Sequence, residues 1–304
     1  MPEATRYTFP AMGSECVLHL FGQAHAAAAE AEAEVLRIEH RYTRYRPESL
    51  LSEINRAAAA GVPIDVDEET AALVDYAFAA HRKSGGLFDI TTGILRRAWN
   101  FSSGNLPDQS AIERLLPFVG LDKIRWERPR LSFPLPGVEL DFGGIGKEYA
   151  ADRAAAICAL AGLAHGLIDL GGDLHALGPK PDGSPWQIHL RHPRRPGEAL
   201  AIIPLARGGL ATSGDYERYV KINGERHSHI LDPWTGWPVR GLAGVTVVAG
   251  RCLVAGSLAT IAMLKGRAGA AWLQQLDASC LWLDTTGQAG GSLWKPTAQP
   301  GERG

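Results

Sequence analysis

Apolar positions recur at helical spacing early in the chain and at strand spacing later, and the change of rhythm divides the sequence. Residues 9–21 have strand composition. Residues 24–42 are rich in Ala and Glu, with Val35 and Ile38 at helical spacing, and predict a helix. Residues 68–84 predict a second amphipathic helix that stops at the Gly85-Gly86 pair. Residues 138–141 read as a short strand, 147–163 as a helix ending near Gly162, and 164–170 as a buried strand running into Gly171-Gly172. Beyond that point, residues 186–191, 200–205, 219–222 and 244–249 resemble strands joined by polar turns, with Asn223-Gly224 a hairpin signal. Residues 255–265 and 267–275 predict helices, and 280–284 a closing strand. Early helices and later strands predict an α/β fold of the α+β kind with mixed or antiparallel sheets, not a regular βαβ repeat. The expected organisation is one two-lobed catalytic domain over residues 5–290, then a disordered or extended tail over 291–304. The Pro-rich stretch 129–136 is the candidate internal linker.

Composition narrows the classes of function. The chain has 304 residues, 45% hydrophobic and 21% charged, which suits one large or two modest globular domains. A net charge of -2 supplies no field for nucleic acid or an acidic membrane. The basic run Arg191-His192-Pro193-Arg194-Arg195 reads as a solvated loop. Cys16, Cys158, Cys252 and Cys280 lack CxxC or zinc spacing, and Cys158 and Cys280 sit in apolar surroundings as buried thiols. No apolar run reaches spanning length and the first residues lack a secretion-type apolar segment, so the expectation is a cytoplasmic protein without membrane insertion.

Four segments carry candidate chemistry. Arg226-His227-Ser228-His229-Ile230-Leu231-Asp232-Pro233-Trp234-Thr235-Gly236-Trp237-Pro238 combines imidazoles, a carboxylate and two tryptophans in a tight turn, which is either a rigid connection or a chemically equipped one. Asp141-Phe142-Gly143-Gly144-Ile145-Gly146-Lys147-Glu148 comes off a strand and enters a helix, where free backbone N–H groups and the dipole favour phosphate. It is neither a P-loop nor a dinucleotide fingerprint, since both spacings fail. In Ser84–Gly93, Phe88 could stack on a ring beside Asp89, or be core while Asp89 caps the next helix. Thr212-Ser213-Gly214-Asp215-Tyr216 lacks a nucleophile elbow and reads as a turn or a substrate-positioning element. Tyr45, after the first helix, is either a lid over an aromatic ligand or a surface ring with Arg46 packed on it.

Taken in order, the segments resemble one family, the FAD:protein FMN transferases or ApbE-like flavin transferases. The matching stretches are Ala11-Met12-Gly13-Ser14, Tyr45-Arg46-Pro47-Glu48-Ser49-Leu50-Leu51-Ser52-Glu53-Ile54-Asn55, Gly86-Leu87-Phe88-Asp89-Ile90-Thr91, Leu140–Lys147, Asp169-Leu170-Gly171-Gly172-Asp173, Thr212–Tyr216, His229–Pro233 and Ser257-Leu258-Ala259-Thr260. The resemblance implies a single flavin-transferase domain with FAD in an extended cleft between lobes and Mg²⁺ on its pyrophosphate. It implies transfer of FMN to a threonine or serine hydroxyl of an acceptor flavoprotein, with release of AMP. By matched position, Met12, Tyr45, Leu87, Phe88, Asp89, Asp141, Lys147 and Ile230 would line the FAD site. His229 would be the base or proton shuttle, with Asp232 holding or orienting it, and Gly144, position 256 and Thr260 would surround the metal.

One departure bears on the chemistry. The family pattern places an aspartate one helical turn before Thr260, and this chain has Gly256 there. Three accounts follow: water and phosphate oxygens fill the gap, another carboxylate such as Glu148 substitutes where the family commonly has glycine, or the protein binds FAD without transferring FMN. Beside the transferase reading stand an FAD binder of weakened activity and an FAD pyrophosphatase giving FMN and AMP.

Overall fold

The computed structural model describes residues 3–101, 103–195 and 197–295. The chain opens with the hairpin β1 (Thr5–Ala11) and β2 (Ser14–Leu20), then runs through α1 (His25–Tyr42), α2 (Leu50–Ala60), β3 (Ile64–Asp65) and α3 (Glu68–Ser84). A 3-10 turn over Thr92–Arg97, α4 (Gln109–Glu113), β4 (Arg125–Glu127) and β5 (Arg130–Ser132) lead to α5 (Gly146–Leu160). Next come β6 (Gly166–Leu170), β7 (Asp173–Gly178), β8 (Trp186–Arg191), β9 (Ala199–Leu205), β10 (Gly208–Gly214), β11 (Tyr219–Ile222), β12 (Glu225–Ser228) and β13 (Leu242–Ala249). The chain closes with α6 (Cys252–Leu264), α7 (Ala268–Gln275), β14 (Ser279–Asp284) and β15 (Ala289–Gly290).

Eight strands form one antiparallel sheet in the order β1-β2-β6-β7-β10-β13-β14-β15. The two-residue period of its strands builds two cores. Ile168, Leu170, Ala211, Val245, Val247 and Cys280 face α1, α5 and α6 and belong to the larger core. Their sequence neighbours Leu167, Leu210 and Leu281, with Leu174, point the other way and pack under Trp186, Leu190, Ile203 and Leu205 of the β8–β9 hairpin. A third cluster around Ile94, Leu95, Trp99, Ile112 and Val220 sits beneath the β11–β12 hairpin. The fold is therefore the expected mixed α+β domain, helices on one face of an antiparallel sheet.

Two tight turns follow the chemistry of their residues. Asn223 (φ 50°) and Gly224 (φ 84°) join β11 to β12 with both central residues left-handed, the geometry whose twist suits a two-residue hairpin. Met12 (φ 53°) and Gly13 (φ 71°) do the same between β1 and β2, so residues 9–21 are two strands rather than one.

Several sequence expectations are corrected by tertiary contacts. Residues 138–141 form no strand and join no ladder. The Asn55 side chain makes the two bonds a neighbouring strand would, accepting from Leu140 N at 2.7 Å and donating to Leu140 O at 2.9 Å. Residues 129–136 are not a linker: β5 is the centre of a three-stranded sheet with β3 and β4, and Leu131 and Phe133 are buried. The basic run at 191–195 is solvated at Arg191 and Arg195 as expected, but Arg194 is anchored, forking onto both oxygens of Asp215 at 2.7 and 2.5 Å. Helix α2 is absent from the expectations although Leu51, Ile54 and Ala58 recur at helical spacing between a Ser49 cap and Gly61, whereas the early start of α6 at Cys252 has no local cap to announce it. All four cysteines are buried and free. The tail expected from 291 begins docked: Leu293 N donates to Cys280 O at 2.9 Å, and Trp294 packs on the hairpin core. Residues 296–304 lie outside the described residues. No described helix is long and apolar enough to cross a membrane.

Helix α6 begins where it does because Asp152 of α5 caps it from outside. The Asp152 carboxylate accepts from Cys252 N at 2.8 Å and Leu253 N at 3.1 Å, satisfying two of the orphan amides of the first turn. Its Oδ1 also meets His175 Nδ1 of β7 at 2.6 Å. Gly209 of β10 lies under the same turn, where a Cβ would come within 2.1 Å of Cys252 N. We expect Asp152→Ala to lower the free energy of unfolding by about 1–3 kcal/mol, the cost of a lost cap plus an unpaired buried group. Urea denaturation checks this, and an unchanged midpoint would show that the α6 amides find another acceptor.

Candidate active site

A cleft of about 1580 Å³ runs between the helices and hairpins, above the usual 300–1,000 Å³ of small-ligand pockets and suited to an extended ligand. Met12, Tyr45, Leu87, Phe88, Asp89, Asp141, Gly144, Lys147, His229, Ile230 and Thr260 all line it. Asp232 and Gly256 do not.

The glycine loop and the start of α5 form one wall. Asp141 accepts from Gly143 N at 2.7 Å and is ion-paired to Arg44, so the loop is braced before any ligand arrives. Lys147 lies in the first turn of α5 and reaches the β6–β7 turn, with Nζ 2.7 Å from Asp173 Oδ2 and 3.4 Å from Gly171 O. Burial opposes the charge on Lys147, but the carboxylate of Asp173 outweighs it, and the lysine pKa is raised. Burial in turn raises Asp173 against the pull of Lys147. The next residue, Glu148, is buried at 8% exposure and its pKa is pushed well up, by burial first and then by the charge of Asp173.

The equipped turn supplies the facing chemistry. The main-chain N–H of His229 donates to Arg218 O at 3.0 Å, and its Nδ1 stands 3.1 Å from the same oxygen. A carbonyl only accepts, so Nδ1 carries the proton and Nε2 keeps a free lone pair. The ring is open to cleft water with protein packed behind it. That crowding lowers its pKa below the ordinary imidazole value, with Arg218 and Lys147 acting in the same direction and the Arg218 hydrogen bond and Glu217 opposing. Asp232 does not orient the imidazole. Its Oδ1 accepts from Trp234 N at 2.8 Å and Thr235 N at 3.1 Å, which holds the turn.

Other expected residues take narrower roles. Phe88 is core at 4% exposure. Asp89 turns its carboxylate inward, accepting from Thr91 N at 2.8 Å, Thr91 Oγ1 at 2.6 Å and Leu121 N at 2.9 Å, so it shapes the cleft wall from behind. Tyr45 is 78% exposed at the cleft rim, and Arg44, not Arg46, lies over its ring at 5.0 Å. Ser213 Oγ and Thr260 Oγ1 meet at 2.7 Å across β10 and α6. Gly256 is buried in α6, and a Cβ there would lie 2.5 Å from Glu148 Oε1. Among the described residues, no three His, Cys, Asp or Glu side chains gather to hold a metal by themselves. Sequence reasoning missed Arg96, Arg97, Trp99 and Phe101, which also line the cleft. Their signal was the Arg96-Arg97 pair followed by two aromatics, but only the fold turns that segment inward.

An α+β domain that sets a glycine loop, a half-buried lysine and an imidazole of lowered pKa on one long cleft defines a protein with a large, chemically equipped ligand site. The chain belongs to the ApbE family, whose sequence pattern matches residues 12–282. It is 31% identical over 242 residues to the FAD:protein FMN transferase of Haemophilus influenzae, covering 76% of this chain and 70% of that one. A Klebsiella pneumoniae protein of the same name is 32% identical over 249 residues, covering 80% and 77%. Among solved structures, the ApbE protein of Thermotoga maritima superposes with a TM-score of 0.86 at 31% identity, covering 95% of this chain and 97% of that one. The flavin transferase ApbE of Vibrio cholerae gives 0.86 at 25% identity, covering 96% and 98%.

A charge-assisted bond is worth about 1.5–3 kcal/mol. We therefore expect Lys147→Met to weaken binding of a diphosphate ligand by roughly 10- to 100-fold and to flatten its salt dependence. Fluorescence titration with FAD at two salt concentrations checks this, and equal affinity would remove Lys147 from the binding wall.

Proposed function

We propose that this chain transfers FMN from FAD to a threonine or serine hydroxyl of an acceptor flavoprotein and releases AMP. Membership in the ApbE family and relatives named FAD:protein FMN transferase support the reaction class. The observation that carries the chemistry is a neutral histidine with a free Nε2 on the same cleft as the glycine loop and Lys147.

In this reading the flavin lies toward Tyr45 and Ile230, and the diphosphate rests against the loop before α5. Backbone N–H groups and Lys147 oppose its charge where negative charge grows during reaction. His229 Nε2 takes the proton from the acceptor hydroxyl as its oxygen bonds to the FMN phosphorus. The bond from that phosphorus to the oxygen bridging to AMP breaks, and AMP leaves with the electron pair. The set of hard oxygens at Thr260, Ser213 and the Gly144 carbonyl suits Mg²⁺, which would supply charge neutralisation to the diphosphate.

We expect His229→Gln to slow AMP release by about 10²- to 10⁴-fold, the usual worth of a general base, with FAD affinity little changed. Because the His229 pKa is lowered, the neutral base persists at neutral pH. Activity should hold across that range and fall only on acidification below the ordinary histidine region. The deciding assay follows AMP release and flavin attachment to a threonine-containing acceptor peptide, with and without Mg²⁺. Labelled peptide together with AMP supports the transferase. AMP with free FMN and no labelled peptide would make it a pyrophosphatase, and FAD binding without AMP would make it a flavin binder.

A further inference from the structure

Position 256 is a glycine because another side chain fills its place. A Cβ built there would lie 2.5 Å from Glu148 Oε1, 2.6 Å from its Cγ and 2.9 Å from its Cδ. The Glu148 carboxyl therefore stands where a side chain on this turn of α6 would begin. Thr260 follows Gly256 by four residues on the same helix, so the two positions lie one above the other, roughly 5–6 Å apart.

Three carboxyl groups lie along this seam, and two are spoken for. Asp152 is used by the first amides of α6 and by His175, and Asp173 by Lys147. Glu148 is 8% exposed and lines the cleft, yet among the described residues no other side chain pairs with its carboxyl. A buried carboxylate without a counter-charge is costly, and the cost disappears when a cation sits against it. The Thr260 and Ser213 hydroxyls, bonded to each other, line the same cleft as Glu148 and are hard oxygen donors. A small divalent ion needs no more from a protein than one or two carboxylates, with water and substrate phosphate completing its shell.

We propose that Glu148 is the anionic ligand of a divalent-cation site completed by Thr260, and that Glu148 and Gly256 are a matched exchange: the carboxylate comes from α5, and the glycine on α6 makes room for it. This builds on the reading of the cleft as a diphosphate site, but the ion can be tested without turnover.

The test is Mn²⁺ binding to the full chain, followed by electron paramagnetic resonance with and without FAD, alongside flavin fluorescence and thermal unfolding. The variants are Glu148→Gln, Gly256→Asp, Glu148→Gly, and the exchange Glu148→Gly with Gly256→Asp. Glu148→Gln keeps the shape and removes the charge. It should weaken Mn²⁺ binding tenfold or more while Tm holds or rises. Gly256→Asp alone should lower Tm, since its side chain collides with Glu148, and Glu148→Gly alone should lose the ion. The exchange should recover Mn²⁺ binding relative to Glu148→Gly. Parental Mn²⁺ affinity in Glu148→Gln would overturn the proposal and leave Glu148 a protonated filler, as would an exchange variant no better than Glu148→Gly. If FAD fails to bind while Mn²⁺ binding still depends on Glu148, the diphosphate reading falls and the ion site stands. If FAD binds and Mn²⁺ ignores Glu148, the reverse holds.

Discussion

The seam between α5 and the sheet is the constraint on which the rest depends. Three side chains from two turns of α5, Lys147, Glu148 and Asp152, are brought against β7 and the start of α6. Asp152 joins α5, β7 and α6 at one point, and Gly209 lets α6 come down onto the sheet there. Were this seam to open, the glycine loop before α5 would lose its position and Thr260 would move away from Ser213. Stability and the floor of the cleft therefore rest on the same contacts. Lys147 and Asp152 are satisfied across the seam by Asp173, His175 and the first amides of α6, which fixes the arrangement around Glu148, whose carboxyl pairs with no other described side chain.

The charges on the cleft are arranged in a way that bears on what enters it. Arg44 is paired with Asp141, Lys147 with Asp173, and Arg96 and Arg97 share Glu139. A diphosphate would meet mostly cations that already have partners, Arg218 being a lining cation with no ion pair among the described residues, so the net positive field it finds is modest. Such a site gains from an added cation arriving with the ligand more than a site of free arginines would. The same pairing fixes the loop and the lysine before the ligand arrives, and preorganised donors cost little reorganisation during reaction.

Much of the fold could be read in the chain because it depends on local periodicity. Helices α1 and α3, the β11–β12 hairpin at Asn223-Gly224 and the buried strand β6 follow directly from spacing and turn chemistry. The errors fall where a distant side chain does the work of backbone. Asn55 replaces a strand neighbour for Leu140, across 85 positions. Asp152 starts α6 a hundred residues downstream, with no cap of its own in the local sequence. A Pro-rich run that resembles a linker is a sheet strand because Leu131 and Phe133 find core.

The site divides in the same way. The glycine loop, the Gly171-Gly172 turn and the His229 turn were legible in the chain as candidate segments, and the fold brings all three onto one cleft. The sequence alone also showed that position 256 lacks a carboxylate. What it could not decide is which way side chains face. Asp89 turns into the wall, Asp232 bonds its own turn, and Glu148 fills the space left by Gly256. These are outcomes of packing between segments far apart in the chain, where a one-dimensional spacing carries no information about direction. Only the folded arrangement of α5 against α6 assigns them.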